Sequence, residues 1–248
     1  MVDTVTPPAT LAELAAAGYN VPDAGELARM ASWDTEHNIK NPVLHLTGPV
    51  QVRNLEYTDI MEAVYQFALE GLHTGQTAES PTYNSILNRK RGRDSLYLPL
   101  PLDLATPLRL YMYNLVRSMA DIYTERLVMQ MSREQLLVYP PGSRANLHAD
   151  DINPSAADFG VGSYLIHTKN QLVSILYLNS EVSVKRDWES PERTFTGGQL
   201  YLPKQANIIY PEAGRVVVHP SNSDFPHAVL INPTGIRICY VNHWYFSN

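Results

Sequence analysis

Residues 226–246 read "PHAVLINPTGIRICYVNHWYF". Two runs rich in β-branched and aromatic residues flank the punctuation "NPTG". Such runs read as strands, and the Asn, Pro and Gly between them read as a turn. His227 opens the first run, and Arg237 stands in the second. A hairpin closing at the turn is expected, which would set the histidine strand beside the arginine strand. The arginine is the oddity. A guanidinium among apolar strand residues is tolerated only where a carboxylate answers it.

The same texture extends upstream to Glu134. "EQLLVY", "ANLHAD", "QLVSILYLN", "GQLYLP", "ANIIYP" and "GRVVVHP" are short strand candidates separated by Gly, Pro, Asn and Asp clusters. About eight strands in about 115 residues, with no helix-length segment among them, argue for an antiparallel sandwich or barrel. Before residue 131 the period changes. "TLAELAAAGYN" and "AGELARMASW" are short amphipathic candidates. "YTDIMEAVYQFALEGL" places Ile60, Val64, Phe67, Ala68 and Leu72 at helical spacing. A helix is expected over 107–131, with Leu108, Tyr111, Leu115, Met119, Ile122 and Leu127 as its apolar stripe. The expected class is therefore mainly β with flanking helices. A helical N-terminal part, 1–131, packs on one sheet of a core formed by 132–248, within one compact domain.

Composition narrows the function. Apolar residues make up 44% of the 248, enough for a real core. The net charge of −6 disfavours wrapping nucleic acid or an anionic membrane. No apolar run approaches the roughly 18 residues of a membrane span, and the N-terminal stretch lacks the basic and apolar blocks of a signal peptide. The single cysteine, Cys239, permits no intrachain disulfide and points to a reducing, cytoplasmic setting.

Candidate chemistry lies in "NLHADD", residues 146–151. Residues i and i+2 of a strand share a face, so His148 and Asp150 would project together. With His227 they make two imidazoles and one carboxylate, the ligand choice of non-haem Fe(II) oxygenases. Asp151 would face the other way, as a turn-capping group. His219, at a strand end before a proline, reads as structural. His243, beside Trp244, reads as core or surface.

The stretch from about Leu136 to the C-terminus resembles the prolyl-4-hydroxylase-like branch of the Fe(II)/2-oxoglutarate-dependent dioxygenases. The likeness is carried, in order, by "YPPGSRANLHAD", "ILYLN", "TGGQLYLP", "YPEAGRVVVHP" and "PHAVLINPTGIRICYVNHWY". It implies a double-stranded β-helix, or jelly-roll, core. It also implies that His148, Asp150 and His227 hold Fe(II), that 2-oxoglutarate is the cosubstrate with its distal carboxylate on Arg237, and that O2 is consumed. Tyr139 is a second candidate for the cosubstrate. Some relatives carry a tyrosine where Leu176 stands here, so Tyr139 or Ser174 must supply that hydroxyl. An aspartate at 150 argues against a halogenase.

The implied activity is hydroxylation of an unactivated C–H bond of a small molecule, such as an amino acid or natural-product intermediate. The alternative within the family is a peptidyl-prolyl hydroxylase. The alternative of another class is a non-catalytic cupin-like metal- or ligand-binding module, which would lack a counterpart of Arg237. Arg144, Arg91 and Arg93 are substrate-binding candidates, the last two within the basic loop "NRKRGRD". The polar stretch 180–196 and the segment 88–97 are lid candidates by length. No nucleic-acid or membrane partner is expected, and oligomeric state is not legible in the chain.

Overall fold

The computed structural model describes residues 16, 50–75, 95–120, 128–148, 172–221 and 225–247. Ten strands and two α-helices follow in the order β1 (Gln51–Asn54), α1 (Asp59–His73), β2 (Leu96–Leu98), α2 (Leu102–Ala120), β3 (Val128–Tyr139), β4 (Ala145–His148), β5 (Leu172–Tyr177), β6 (Leu200–Leu202), β7 (Asn207–Ile209), β8 (Arg215–Pro220), β9 (His227–Val229) and β10 (Arg237–Ser247) among the described residues. They form a six-stranded sheet, β1-β8-β5-β10-β3-β2, and a four-stranded sheet, β4-β9-β6-β7. Every strand pairing is antiparallel.

Period-two alternation sorts the larger sheet's side chains into two cores. Leu137, Tyr139, Val173, Ile175, Tyr177, Val217, Cys239 and Val241 pack with Ala145, Leu200, Leu202, Ile209 and Val229 of the smaller sheet. Their strand neighbours Leu136, Val138, Leu172, Leu176, Val216, Val218, Ile238, Tyr240 and Trp244 pack with the helices instead. The result is three layers: helices, large sheet, small sheet. Each fully buried Leu, Val or Met contributes roughly 1.5–3 kcal/mol, so both faces of the large sheet are strongly specified.

The helices meet the sheet along stripes slightly rotated from expectation. On α1 the buried residues are Met61, Val64, Tyr65, Ala68 and Gly71. Gly71 lies inside the helix, where a Cβ would come within 2.4 Å of Leu98 Cδ2. On α2 the fully covered side is Ala105, Leu108, Met112 and Val116, with Tyr111 and Leu115 partly buried beside it.

Three expectations are corrected. The helix expected over 107–131 begins at Leu102 instead, and residues 128–131 already belong to β3. β3 pairs along its length with β10, Val128 opposite Ser247, and sheet pairing overrides the helical period there. The N-terminal part is not helical alone, because β1 and β2 form the two edges of the large sheet. The hairpin at "NPTG" does not form. β9 pairs with β4 and β6, whereas β10 pairs with β3 and β5. The turn carries the chain from one sheet to the other. It is held as a corner by Asn232, whose side-chain amide donates to the carbonyls of Tyr139 (3.1 Å), Pro140 (3.0 Å) and Gly235 (3.3 Å). Gly235, at φ +72°, takes the left-handed conformation the corner demands.

The stretch 180–196, a lid candidate, is a fixed element. Buried Glu189 accepts from the backbone N–H of Ser180 (3.1 Å) and of Arg186 (2.9 Å), and from the Ser180 hydroxyl. Arg193 bonds Glu62 of α1 at 2.7 Å and lies over the rings of Tyr65, Trp188 and Tyr57. The stretch is pinned to the helical layer. The short N-terminal helices, the basic loop and Asp151 lie outside the described residues.

Candidate active site

Arg237 opens β10 on the face turned toward the small sheet. Only 1% of it is exposed. Its guanidinium carbon sits 4.5 Å from the centre of the Tyr139 ring and 5.2 Å from that of Tyr177. The register fixes these neighbours, since Arg237 pairs with Tyr139 of β3 and Tyr177 pairs with Cys239, two residues on. Nε and Nη1 are buried and have no hydrogen-bond partner among the described residues. Burial works against the charge, but Cys239, Tyr177 and Tyr139 oppose it and the net direction is upward. The guanidinium remains a cation at any physiological pH.

This arrangement asks for an anion. A buried cation with unmet donors is costly, and a planar carboxylate meets a guanidinium fork in register. Aromatic faces stabilise the cation without consuming its N–H groups. Burial pushes the Tyr177 phenol up to about 12 against the opposing charge of Arg237, so it stays a neutral donor. The backbone comes close behind the arginine. At Gly198, φ +67°, a Cβ would lie 2.8 Å from Arg237 Cδ and 2.9 Å from Phe195 Cε2.

Two buried asparagines set the arginine's backbone. Asn179 donates to the carbonyls of Ile236 (2.6 Å) and Arg193 (2.8 Å), and accepts from the N–H of Ile238 (2.9 Å). It thereby grips both peptide groups flanking Arg237. Asn232 holds the corner before it and the end of β3 that carries Tyr139.

His227 begins β9, 4% exposed. Its Nδ1 lies 3.2 Å from the Phe225 carbonyl oxygen. A carbonyl only accepts, so Nδ1 carries the proton and Nε2 is the lone-pair nitrogen suited to a metal. His148 stands directly opposite His227 in the β4–β9 register, after a shift between Ala145 and His148. The sequence's two histidine positions are thus adjacent across the sheet. The side chain of His148 and the whole of Asp150 lie outside the described residues.

Among the described residues, a small, partly open cavity of about 30 Å³ between the sheets joins the two ends of the site. Its wall includes Arg237, Tyr139, Cys239, His227, His243 and Gln135. His243 faces this cavity rather than solvent, because β10 alternates and Trp244 points to the helical layer, where its indole N–H donates to Ser174 (2.8 Å). Ser174 therefore lies on the wrong face to meet a cosubstrate. The hydroxyl-bearing residue on the Arg237 face of β5 is Tyr177, one position after Leu176. It was legible in principle, since residues 173, 175 and 177 share a face and Leu176 points the other way. The asparagines were not, because only the folded corner shows what they grip. Arg144 is half-buried before β4 and is not in the cavity wall. Arg91 and Arg93 lie outside the described residues. No helix among the described residues is long and apolar enough to cross a membrane.

No family model and no curated protein matches the chain. Solved structures do. A Pseudomonas putida prolyl-4-hydroxylase is similar at TM-score 0.55 and 18% identity, over 90% of this chain and 100% of that one. A Trichoplax adhaerens prolyl hydroxylase, in complex with a hypoxia-inducible-factor peptide fragment, is similar at TM-score 0.55 and 17% identity, over 91% and 94%. A viral collagen prolyl hydroxylase from Paramecium Bursaria Chlorella virus-1, in its 2-oxoglutarate complex, is similar at TM-score 0.51 and 13% identity, over 82% and 98%. The fold of this chain is that of the prolyl-4-hydroxylase-like 2-oxoglutarate oxygenases.

Proposed function

We propose that the chain is an Fe(II)- and 2-oxoglutarate-dependent dioxygenase that hydroxylates an unactivated C–H bond of a small molecule, such as an amino acid or a natural-product intermediate. The observation that carries this reading is the buried Arg237 guanidinium, with donors that no described residue meets. A cupin-like binding module has no use for such a cation. The two antiparallel sheets, with the larger one's inner face packed on the smaller, support a double-stranded β-helix core spanning 132–248. The part before it supplies edge strands and the helical layer of the same compact domain.

His148, Asp150 and His227 would hold the iron, which together with 2-oxoglutarate and O2 supplies the oxidising chemistry. The chain's own residues bind, orient and exclude. Arg237 receives the distal carboxylate of the cosubstrate. Tyr139 and Tyr177 wall its cation and offer hydroxyls. Phe225 holds the His227 ring in one tautomer. Leu137, Val173, Ile175, Leu200 and Val229 keep the cavity apolar, which strengthens the ion pair inside it. A cytoplasmic location fits the lone buried thiol of Cys239.

A second reading, peptidyl-prolyl hydroxylation, is favoured by the neighbours. All three are prolyl hydroxylases, one in complex with a peptide fragment. Anaerobic addition of Fe(II) and 2-oxoglutarate tests the shared chemistry. A visible charge-transfer band is expected, and its absence overturns the oxygenase reading. Succinate formation across amino acids and peptides, with mass analysis of the product, separates the two substrates.

A further inference from the structure

We propose that Cys239 is a redox modification site: hydrogen peroxide oxidises its thiol to a sulfenate and then a sulfinate, and the new anion pairs with Arg237 and shuts the cosubstrate out. The oxidation and the pairing stand on the geometry of the cavity wall. The exclusion of 2-oxoglutarate rests on the oxygenase reading above.

Cys239 and Arg237 are two residues apart on β10 and share the face turned to the small sheet. Both line the cavity there. Two strand positions span roughly 7 Å, but the guanidinium leans across that gap. Its carbon lies 5.2 Å from the centre of the Tyr177 ring, and Tyr177 is the register partner of Cys239. Of the groups that favour the arginine's charge, Cys239 has the largest effect. Arg237 is 1% exposed, and its Nε and Nη1 have no hydrogen-bond partner among the described residues. A thiol is a weak acceptor for such donors. An oxygen anion carried on the same sulfur is a strong one.

Size decides which oxidant arrives. Cys239 is itself only 1% exposed to bulk water. The cavity beside it measures about 30 Å³, room for about two waters. Hydrogen peroxide, with two oxygen atoms, fits that space, and a glutathione-sized disulfide does not. Entry of 2-oxoglutarate has to part the walls, whereas entry of peroxide does not. A neighbouring cation favours the thiolate, the form that attacks peroxide. The sulfur gives an electron pair to one peroxide oxygen, so that an S–O bond forms and the O–O bond breaks. The other oxygen takes the thiol proton and leaves as water. A second peroxide repeats the step and gives a sulfinic acid and another water, and the acid then loses its proton. Each step oxidises the sulfur by two electrons and reduces one peroxide. Inside the cavity the resulting ion pair is strong, and an arginine so paired no longer receives a diacid.

The test uses the full chain loaded with Zn(II), which has no redox chemistry of its own. Peroxide is added with and without 2-oxoglutarate, and peptide mass mapping follows Cys239, the chain's single cysteine. Its peptide is expected to gain one oxygen and then two, at least tenfold more slowly when 2-oxoglutarate is saturating. Calorimetry on the oxidised protein should show 2-oxoglutarate bound at least tenfold more weakly. The affinity of Cys239→Ser, whatever its starting value, should not change on peroxide treatment, which separates Cys239 from the methionines. Cys239→Asp sets a carboxylate where the oxidised sulfur would stand. Against the neutral Cys239→Asn it should bind 2-oxoglutarate at least tenfold more weakly and melt at a higher Tm. The proposal is overturned if Cys239 takes up no oxygen, if the oxidised protein binds as before, if Cys239→Ser loses affinity equally, or if the Asp and Asn variants behave alike. If the untreated parent binds no 2-oxoglutarate, the oxygenase reading fails instead. Oxygen uptake at Cys239 and the Tm difference between the Asp and Asn variants then still decide the pairing.

Discussion

The rings of His219 and His227 meet edge to face, with centroids 4.8 Å apart. This contact joins the inner face of the large sheet to the small one. His219 is 1% exposed, and its Nδ1 lies 2.7 Å from the Pro220 carbonyl oxygen, which fixes that ring in turn. A histidine that reads as merely structural is therefore a buttress for a candidate metal ligand. Groups that orient a ligand typically affect metal affinity by about 10–100-fold. His219→Ala is expected to weaken metal binding within that range, and His219→Phe, which keeps a ring edge, to weaken it less. Mn(II) titration followed by electron paramagnetic resonance measures both. Equal affinities in all three proteins would remove His219 from the site.

Arg237→Met is expected to abolish 2-oxoglutarate binding while leaving a folded protein. Stripping the partner from a buried charge costs about 3–5 kcal/mol, more than two orders of magnitude in cosubstrate affinity. The free protein should stay within about 1 kcal/mol of its parent, because losing stacking on Tyr139 and Tyr177 is offset by relief of a buried cation with unmet donors. Denaturant unfolding with and without 2-oxoglutarate separates these effects. Stabilisation of the variant by 2-oxoglutarate equal to that of its parent would contradict the assignment.

Gly198→Ala puts a methyl group against Arg237 Cδ and Phe195 in a backbone conformation that side chains rarely adopt. A loss of roughly 1–3 kcal/mol is expected, accompanied by weaker 2-oxoglutarate binding because the arginine must shift. Thermal unfolding and calorimetry check the pair. A stability loss with unchanged 2-oxoglutarate affinity would mean the glycine serves the turn alone.

Acid sensitivity should centre on Glu134. Burial raises its pKa, but hydrogen bonds from Arg109 and Tyr240, with the Arg109 charge, overcome this and the net direction is downward. A carboxyl lowered in the folded state contributes stability that is complete above its ordinary range near 4.5 and is lost as pH falls from there through the lower folded value. Glu134→Gln should flatten that acid limb and leave the profile between pH 6 and about 8 parallel to the parent's. Chemical denaturation midpoints across pH 3–7 give the readout. An unchanged acid limb would assign it to other carboxylates.

Arg193→Ala should unpin the 180–196 stretch. The guanidinium sits 3.9 Å from the centre of the Tyr65 ring and pairs with Glu62 at 2.7 Å. Its removal is expected to lower stability by about 2–3 kcal/mol and to raise hydrogen exchange within 180–196 selectively. Exchange that rises evenly over the whole chain would contradict a local anchor.

All eight strands expected after Glu134 are present, because their period-two patterns are bounded by turn residues and each strand carries its own evidence. The candidate chemistry was legible on the same terms. His227 and Arg237 stand out because each is costly to bury without a partner, and both are buried. Sequence alone thus determined the strands, the class and the unusual polar residues within apolar runs. Only the tertiary structure decided which sheet each strand joins. "NPTG" looks like a hairpin because local turn chemistry is the same whether the next strand pairs beside the last or crosses to the opposite sheet. The crossing is settled by Asn232 reaching carbonyls more than ninety residues away. The same holds for β1 and β2, whose short strands exist only because the large sheet offers them edges. It holds for His219 as well, whose contact with His227 joins two sheets. A face of a strand is readable from alternation, but what that face meets depends on non-local packing, which no local pattern encodes.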